Sequence, residues 1–349
     1  MAYTTINKSS LHMNTKLYTG NGGTQSITGV GFQSDWSWFK KRNSAADSSL
    51  IDAVRGVRKS LTSNNAEAEY TESAGLSAFN SDGFSFDGTG YDHVNTNGDT
   101  FASWNWKANG AGSANTVGSV NSTVSVNTTS GFSIVKWTGT GANATVGHGL
   151  GAVPKMIICK NTDTAVNWIV YHNKLDASAP QNKYIELNAS TGLQDYPMWN
   201  DTAPTSSVFS VGSDVATNKS GSPIIAYCFS NVQGFSKIGS YTGNGNADGT
   251  FVYTGFKPSF ILAKRTDATA GWVLFDNKRI GYNGSGNYWL DAQNAEADQT
   301  DATGMFDQLS NGFKVRSSFG SRNASGGNYI YIAFGQSLVG TNNVPCTAR

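Results

Sequence analysis

The sequence predicts an all-β protein built as three tandem antiparallel β-sandwich modules, jelly-roll-like and about 100 residues each. Composition points to the class, and an internal repeat points to the architecture. The 349 residues include 40 glycines but only 7 prolines, with 12% aromatic and 14% charged residues. Ordinary soluble domains carry roughly 25% charged residues. The glycines have no three-residue period, which excludes collagen, and there are too many aromatic residues for a disordered chain. Glycine costs about 1 kcal/mol per helical position relative to alanine, so long helices are disfavoured. What remains is a chain of short strands and many turns with a polar, weakly charged surface.

The repeat is carried by Tyr18-Thr-Gly-Asn-Gly, Trp137-Thr-Gly-Thr-Gly and Tyr241-Thr-Gly-Asn-Gly. The second and third copies stay in register at an offset of 104. Pro154 meets Pro258, Trp168 meets Trp272, His172 meets Asp276 and Phe209 meets Phe313. The first copy aligns more loosely, with Gly31–Arg42 over Gly255–Arg265 and Ile51-Asp52 over Phe275-Asp276. Repetition at fixed spacing is the signature of one structural unit used several times.

The boundaries follow. Residues 1–107 form an N-terminal arm and the first module. Residues 108–130, without aromatics or acidic side chains, read as a linker or extended arm whose valines Val117, Val120, Val124 and Val126 could pair with a neighbouring subunit. Residues 131–230 and 231–336 form the second and third modules, and 337–349 a C-terminal tail. Within a module, Phe260, Leu262 and Lys264 alternate with Ile261 and Ala263, and Tyr329–Phe334 is a continuous run suited to a strand buried on both faces. Asp82-Gly83 and Asn311-Gly312 mark hairpin turns. Short helices are expected only near 48–58 and 291–300.

Charge and termini narrow the function classes. A net charge of +1 provides no basic stripe for nucleic acid. The opening residues contain no apolar signal-peptide core, and no apolar run approaches the roughly 20 residues of a membrane-spanning helix. Cys159, Cys228 and Cys346 lack metal-ligand or disulfide spacing, so neither a zinc site nor a cofactor is expected. The repeated Thr-Gly-x-Gly resembles a phosphate loop but lacks the following helix and Lys-Ser/Thr, and it reads as a hairpin turn needing positive φ. His12, His93, His148 and His172 show no metal spacing, and replacement of His172 by Asp276 in the next copy places it at a surface or turn. Acidic groups at Asp82, Asp87 and Asp92, and at Asp291, Glu296, Asp298 and Asp301, could supply paired carboxylates or calcium oxygens, but read first as solvated loop charge.

Aromatic residues are the best functional lead. Trp168 and Trp272, like Phe209 and Phe313, occupy matching positions and are expected in the core, as are Trp104 and Trp106. Trp199, Tyr288 and Trp289 fall in polar stretches peculiar to one copy. Such rings could stack on saccharide or bury a subunit contact.

These repeats resemble a family of phage virion proteins, common in marine phages and described as tail-fibre-like or structural. The resemblance is carried by MAYTTI, by YTGNG with GVGFQSDWSWFKKR, and by IDAVRG, FNSDGFSF and GFSIVKWTGTGANATVGHGLGAVPKMIICKN. It continues through IAYCFSNVQGFSKIGSYTGNGNADGTFVYTGFKPSFILAKR and spans nearly the whole chain. Ser34 stands where the family usually has proline. The resemblance implies a non-enzymatic virion component without catalytic residues. The expected role is a tail-fibre or tail-tip protein that attaches to host-surface glycan as a homotrimer beside other virion proteins. The alternative is a capsid-surface fibre, decoration or adaptor protein. A polysaccharide depolymerase is disfavoured, because such enzymes usually use a long β-helix and a 100-residue period does not suit one.

Overall fold

Alternating apolar residues, with turn residues every 8–15 positions, fold the chain into antiparallel sheets throughout. The computed structural model describes residues 4–337 apart from 92, 280–282, 284–286 and 302–304. The first module comprises β1 (Met13–Thr19), β2 (Thr24–Thr28), β3 (Trp36–Lys41), β4 (Ser49–Asp52), β5 (Lys59–Ser60), β6 (Tyr70–Thr71), β7 (Leu76–Asn80), β8 (Gly83–Asp87) and β9 (Thr100–Trp106). The next stretch holds β10 (Ser113–Asn115), β11 (Ser122–Asn127), β12 (Phe132–Thr138), β13 (Ala144–Gly147), β14 (Met156–Asn161), β15 (Ile169–His172), β16 (Lys183–Glu186), β17 (Gln194–Asp195), β18 (Val208–Val211) and β19 (Pro223–Phe229). The last holds β20 (Ser236–Thr242), β21 (Phe251–Tyr253), β22 (Lys257–Arg265), β23 (Trp272–Asp276), β24 (Asn287–Asp291), β25 (Gln299–Asp301), β26 (Phe306–Leu309), β27 (Gly312–Val315) and β28 (Asn328–Gln336).

One strand order recurs. The larger sheets run β1-β9-β3-β4, then β12-β19-β14-β15-β16-β17, then β20-β28-β22-β23-β24-β25. A smaller sheet faces each of them: β2-β8-β7, β13-β18 and β21-β27-β26. Separate apolar cores fill these sandwiches, around Phe39 and Phe84, around Ile157 and Phe209, and around Ile261 and Phe313. The outer faces of the three larger sheets then meet one another in a fourth, shared core. Trp36 stacks on Tyr227 with centroids 4.2 Å apart, and Trp106 packs edge-on against Phe229, Phe260 and Phe334. This arrangement explains why strands such as β3, β14 and β22 are apolar on both faces.

Three sequence expectations give way. The presumed linker is structured: β10 and β11 add to the edge of β12, pairing Val124 with Val135 and Ser122 with Trp137. Val124 and Val126 pair within the chain and Val120 bridges to Val146, because alternate residues of β11, Val124 among them, lie against a sandwich core that would otherwise be open to water. Second, residues 48–58 and 291–300 are not helical; Leu50 and Ile51 on β4 face opposite cores with strand periodicity. Among the described residues the helices are instead the single turns α1 (Val215–Asn218) and α2 (Gly320–Asn323), besides two 3₁₀ turns.

Third, Thr-Gly-x-Gly is not a hairpin turn. It carries the chain from the larger sheet to the smaller, from β1 to β2, β12 to β13 and β20 to β21. A buried asparagine anchors each crossing. Asn323 Nδ2 donates to the carbonyl oxygens of Asn246 (2.7 Å) and Ser317 (2.9 Å), and its Oδ1 accepts from the Asn244 amide. Asn95 and Asn218 make the corresponding bonds to Gly23 and Gly88 and to Ala142 and Gly212. A Cβ on Gly243 would sit 2.3 Å from the Ala324 carbonyl oxygen, and Gly245 has φ +70°, which explains both glycines of the motif.

Candidate functional site

The module boundaries hold matching sets of buried polar groups, and they close in a ring. Lys40, Lys160 and Lys264 occupy matching places on β3, β14 and β22. Each buried ammonium donates to a carbonyl oxygen of the adjoining module: Asn294 (3.4 Å), Ala66 (3.3 Å) and Ser190 (3.1 Å). Burial lowers all three lysines to about 8, against a partial pull back from nearby Asp47, Asp163 and Glu186 among others. Backbone bonds follow the same cycle, from Glu69 to Thr162, from Leu193 to Thr266 and from Asp298 to Arg42.

The residues singled out from sequence mostly serve this packing. Trp168 and Trp272 lie in the shared core, and their indole N–H groups donate across boundaries to Thr62 O and Glu186 O, both at 2.8 Å. Phe209 and Phe313 sit in sandwich cores. Trp199 is 1% exposed, edge-on to Tyr171, and so cannot meet a ligand. Its polar sequence neighbours concealed a ring that plugs the second sandwich. Trp289 is half-buried under the Arg322 guanidinium (4.3 Å), and Arg42 of the first module lies over Tyr288 (5.8 Å). Both rings therefore pack against cations of the chain itself.

His172 is the other correction, because it is wholly buried rather than a surface residue. Its Nδ1 accepts from the Lys174 amide and its Nε2–H donates to the Tyr331 carbonyl oxygen at 3.2 Å, while burial lowers its pKa to about 4. A neutral imidazole thus replaces the ion pairs Asp52–Arg55 and Asp276–Arg279 of the other modules. Of the acidic groups singled out from sequence, Asp298 belongs to these joints, paired with Arg42 and Arg279, and Asp92 lies outside the described residues. Among the described residues no cluster of three or more His, Cys, Asp or Glu could hold a metal ion, and no helix is long and apolar enough to cross a membrane.

An open groove lies elsewhere, between the third and second modules. It has a volume of about 770 Å³ and runs along β20, the free edge of its sheet, beneath Phe251 and Tyr253 of β21. Asn173, Lys174, Asn231 and Tyr331 complete it. Phe251 is 45% and Tyr253 59% exposed, on the same face of one strand. Pairing of the smaller sheets places Ser26 and Thr28 at their positions in the first module, and Thr145 and Gly147 in the second. Tyr331 likewise stands where the others have Ser103 and Ala226. Its phenol fits because Gly239 opposite has no side chain: a Cβ there would lie 2.7 Å from the Tyr331 oxygen.

The same edge in the second module is covered by β11, so only the third module combines an open edge with this aromatic set. Sequence reading missed Phe251, Tyr253 and Tyr331, although comparing the copies column by column marks all three as peculiar to one of them.

Residues 8–337 match the family described as Domain of unknown function (DUF7483). The chain belongs to that family. No curated protein and no solved structure matches the chain. The family description carries no activity, so the function rests on the groove and on the resemblance drawn from sequence.

Proposed function

We propose that the chain is a structural component of a phage particle that attaches to host-surface glycan, at the tail tip or on a tail fibre. The observation that carries the binding role is the third-module groove. Two exposed aromatic residues absent from the sister modules, Phe251 and Tyr253, overhang an unfilled edge amid Asn, Ser and Thr, with the buried Tyr331 ring beneath it. Flat rings beside amides and hydroxyls suit sugars, whose apolar faces stack while their hydroxyls are hydrogen-bonded. The groove lining contains no Asp, Glu, His or Cys. Glycoside hydrolysis in most families needs two facing carboxylates, so the groove is read as binding rather than cleaving.

The closed ring favours a second reading, a capsid-surface decoration or adaptor protein. Modules that share one core do not stack end to end as in a fibre shaft. Cryo-electron microscopy of the particle distinguishes tail density from capsid density. Purified protein should adsorb to host cells and block infection; a failure of both would overturn the attachment role. The homotrimer proposed from sequence concerns how copies are displayed, and analytical ultracentrifugation tests it.

A further inference from the structure

We infer that the third-module groove takes an acidic saccharide, one bearing carboxylate, sulfate or phosphate, which names the ligand class of the attachment reading and rests on it. The argument begins with charge. Lys174 and Lys237 both line the groove, and no carboxylate lies among its lining residues. Among the described residues neither ammonium is in an ion pair: the lysines engaged in salt bridges are Lys41, Lys59, Lys183 and Lys314. Two free cations without a counter-charge, on a chain of net charge +1, make a local positive field suited to an anion.

The hydrogen-bonding groups agree in place. Asn173 Oδ1 is buried beside the groove without a hydrogen-bond partner, and a donor entering from the groove would satisfy it. A sugar hydroxyl is such a donor. Asn231 is held by its Oδ1, which accepts the Ile238 amide at 2.7 Å. The exposed Ser240 and Thr242 hydroxyls line the same edge. Phe251 and Tyr253 then offer ring faces to the apolar side of the pyranose, and the lysines its charged substituent.

An extended peptide is the competing occupant, since β11 pairs with the equivalent edge of β12. Two features oppose it. Val135, which packs under β11, is replaced by Gly239 with the Tyr331 phenol over it, and the N-terminal end of β20 is already closed by Val232 pairing with Ser236.

The full-length protein is tested on an array of oligosaccharides carrying uronate, sialate, sulfate or phosphate beside neutral ones, and by calorimetry with hexagalacturonate and maltohexaose. Three forms are compared: wild type, K174Q/K237Q, and F251S/Y253T, which installs the residues of the first module. Thermal melting shows that each is folded. Binding confined to acidic glycans, weakened at least tenfold in both double variants, supports the inference. Equal binding of neutral glycans, or wild-type affinity in K174Q/K237Q, overturns the acidic class. The attachment reading then stands if F251S/Y253T still loses binding. Absence of binding to every saccharide overturns the inference, and adsorption of the same protein to host cells decides whether attachment falls with it. Self-association of wild type that F251S/Y253T abolishes assigns the groove to strand pairing and overturns the inference.

Discussion

The phenol of Tyr227 donates to Asp52 Oδ2 at 2.8 Å, tying the closing strand of the second module to β4 of the first. Trp104 donates to Asp276 Oδ2 at 3.0 Å where the first module meets the third. At the remaining boundary the polarity is reversed: His172 donates to the backbone of Tyr331, and Ile332 stands where Tyr227 and Trp104 stand. Arg55 and Arg279 follow their aspartates by three residues, and Leu175 follows His172 by the same spacing. The substitutions are mutually consistent, since a histidine donor needs neither an arginine nor a hydroxyl partner. The three modules therefore lock by one joint written in two chemistries.

Tyr227→Phe should cost about 1.5–3 kcal/mol, the worth of one hydrogen bond to a charged group. Arg55→Leu alone should cost about 3–5 kcal/mol, because it leaves Asp52 buried without its cation. The triple variant D52H/R55L/Y227I imports the joint of the other boundary, so its loss should fall below the sum of the three single losses by at least 1 kcal/mol, roughly the coupling expected of residues in one network. Urea unfolding of wild type, the single variants D52H, R55L and Y227I, and the triple variant measures this. Strict additivity would mean that the boundaries are not interchangeable.

The lysine ring should show itself in the pH dependence of stability. Lys40, Lys160 and Lys264 are lowered to about 8 in the folded chain, whereas unfolded lysine titrates near 10.4. Between those values the unfolded chain binds more protons, so these groups make stability rise with pH across that window. Lys160→Met removes one contributor. The melting temperature of wild type should gain on that of the variant from pH 8 to pH 10, and stay parallel to it between pH 6 and pH 7. Buried tyrosines oppose the rise at higher pH but are common to both proteins and drop out of the comparison.

The crossing motif gives a third expectation. Asn323→Ala should cost about 2–4 kcal/mol, since it strips donors from two carbonyl groups and an acceptor from the Asn244 amide. Gly243→Ala should cost at least as much, because the new Cβ meets backbone rather than a movable side chain. Gly326→Ala, at φ +72° but with nothing within 4 Å of its Cβ, should lose only about 1 kcal/mol. Chemical denaturation of the three variants gives the ranking.

Much of this fold was legible because β modules advertise themselves by alternation and turn residues. Phe260–Lys264 is legible from the sequence as an alternating strand, and Tyr329–Phe334 as a strand buried on both faces. The shared core was not legible, because the same pattern serves a sheet covered by its own module or by its neighbours. His172 misled for a related reason: exchange with Asp276 looked like surface tolerance but reflects a change of partner across a boundary. The groove was hidden because Phe251 and Tyr253 lie in a short edge strand without the tryptophan that drew attention to Trp199.

The segment joining the first two modules provides the last test, because sequence and structure disagree on it most. A linker without aromatic or acidic residues would tolerate polar substitution anywhere along it. In the structure Val124 is 6% exposed, opposite Val135 in the second sandwich core, whereas Val117, seven residues earlier, is 49% exposed. Val124→Asp should therefore cost more than about 3 kcal/mol, by burying a charge without a partner, and Val117→Asp less than about 0.5 kcal/mol. Val124→Ala, which removes only methyl groups, should cost about 1–2 kcal/mol by analogy with other truncations of buried aliphatic side chains. Hydrogen exchange supplies the second readout. The amides that β11 and β12 share should be protected in wild type and should exchange faster in Val124→Asp, ahead of those between β14 and β15. Equal tolerance at positions 117 and 124 would restore the linker and leave the edge of β12 as open as that of β20.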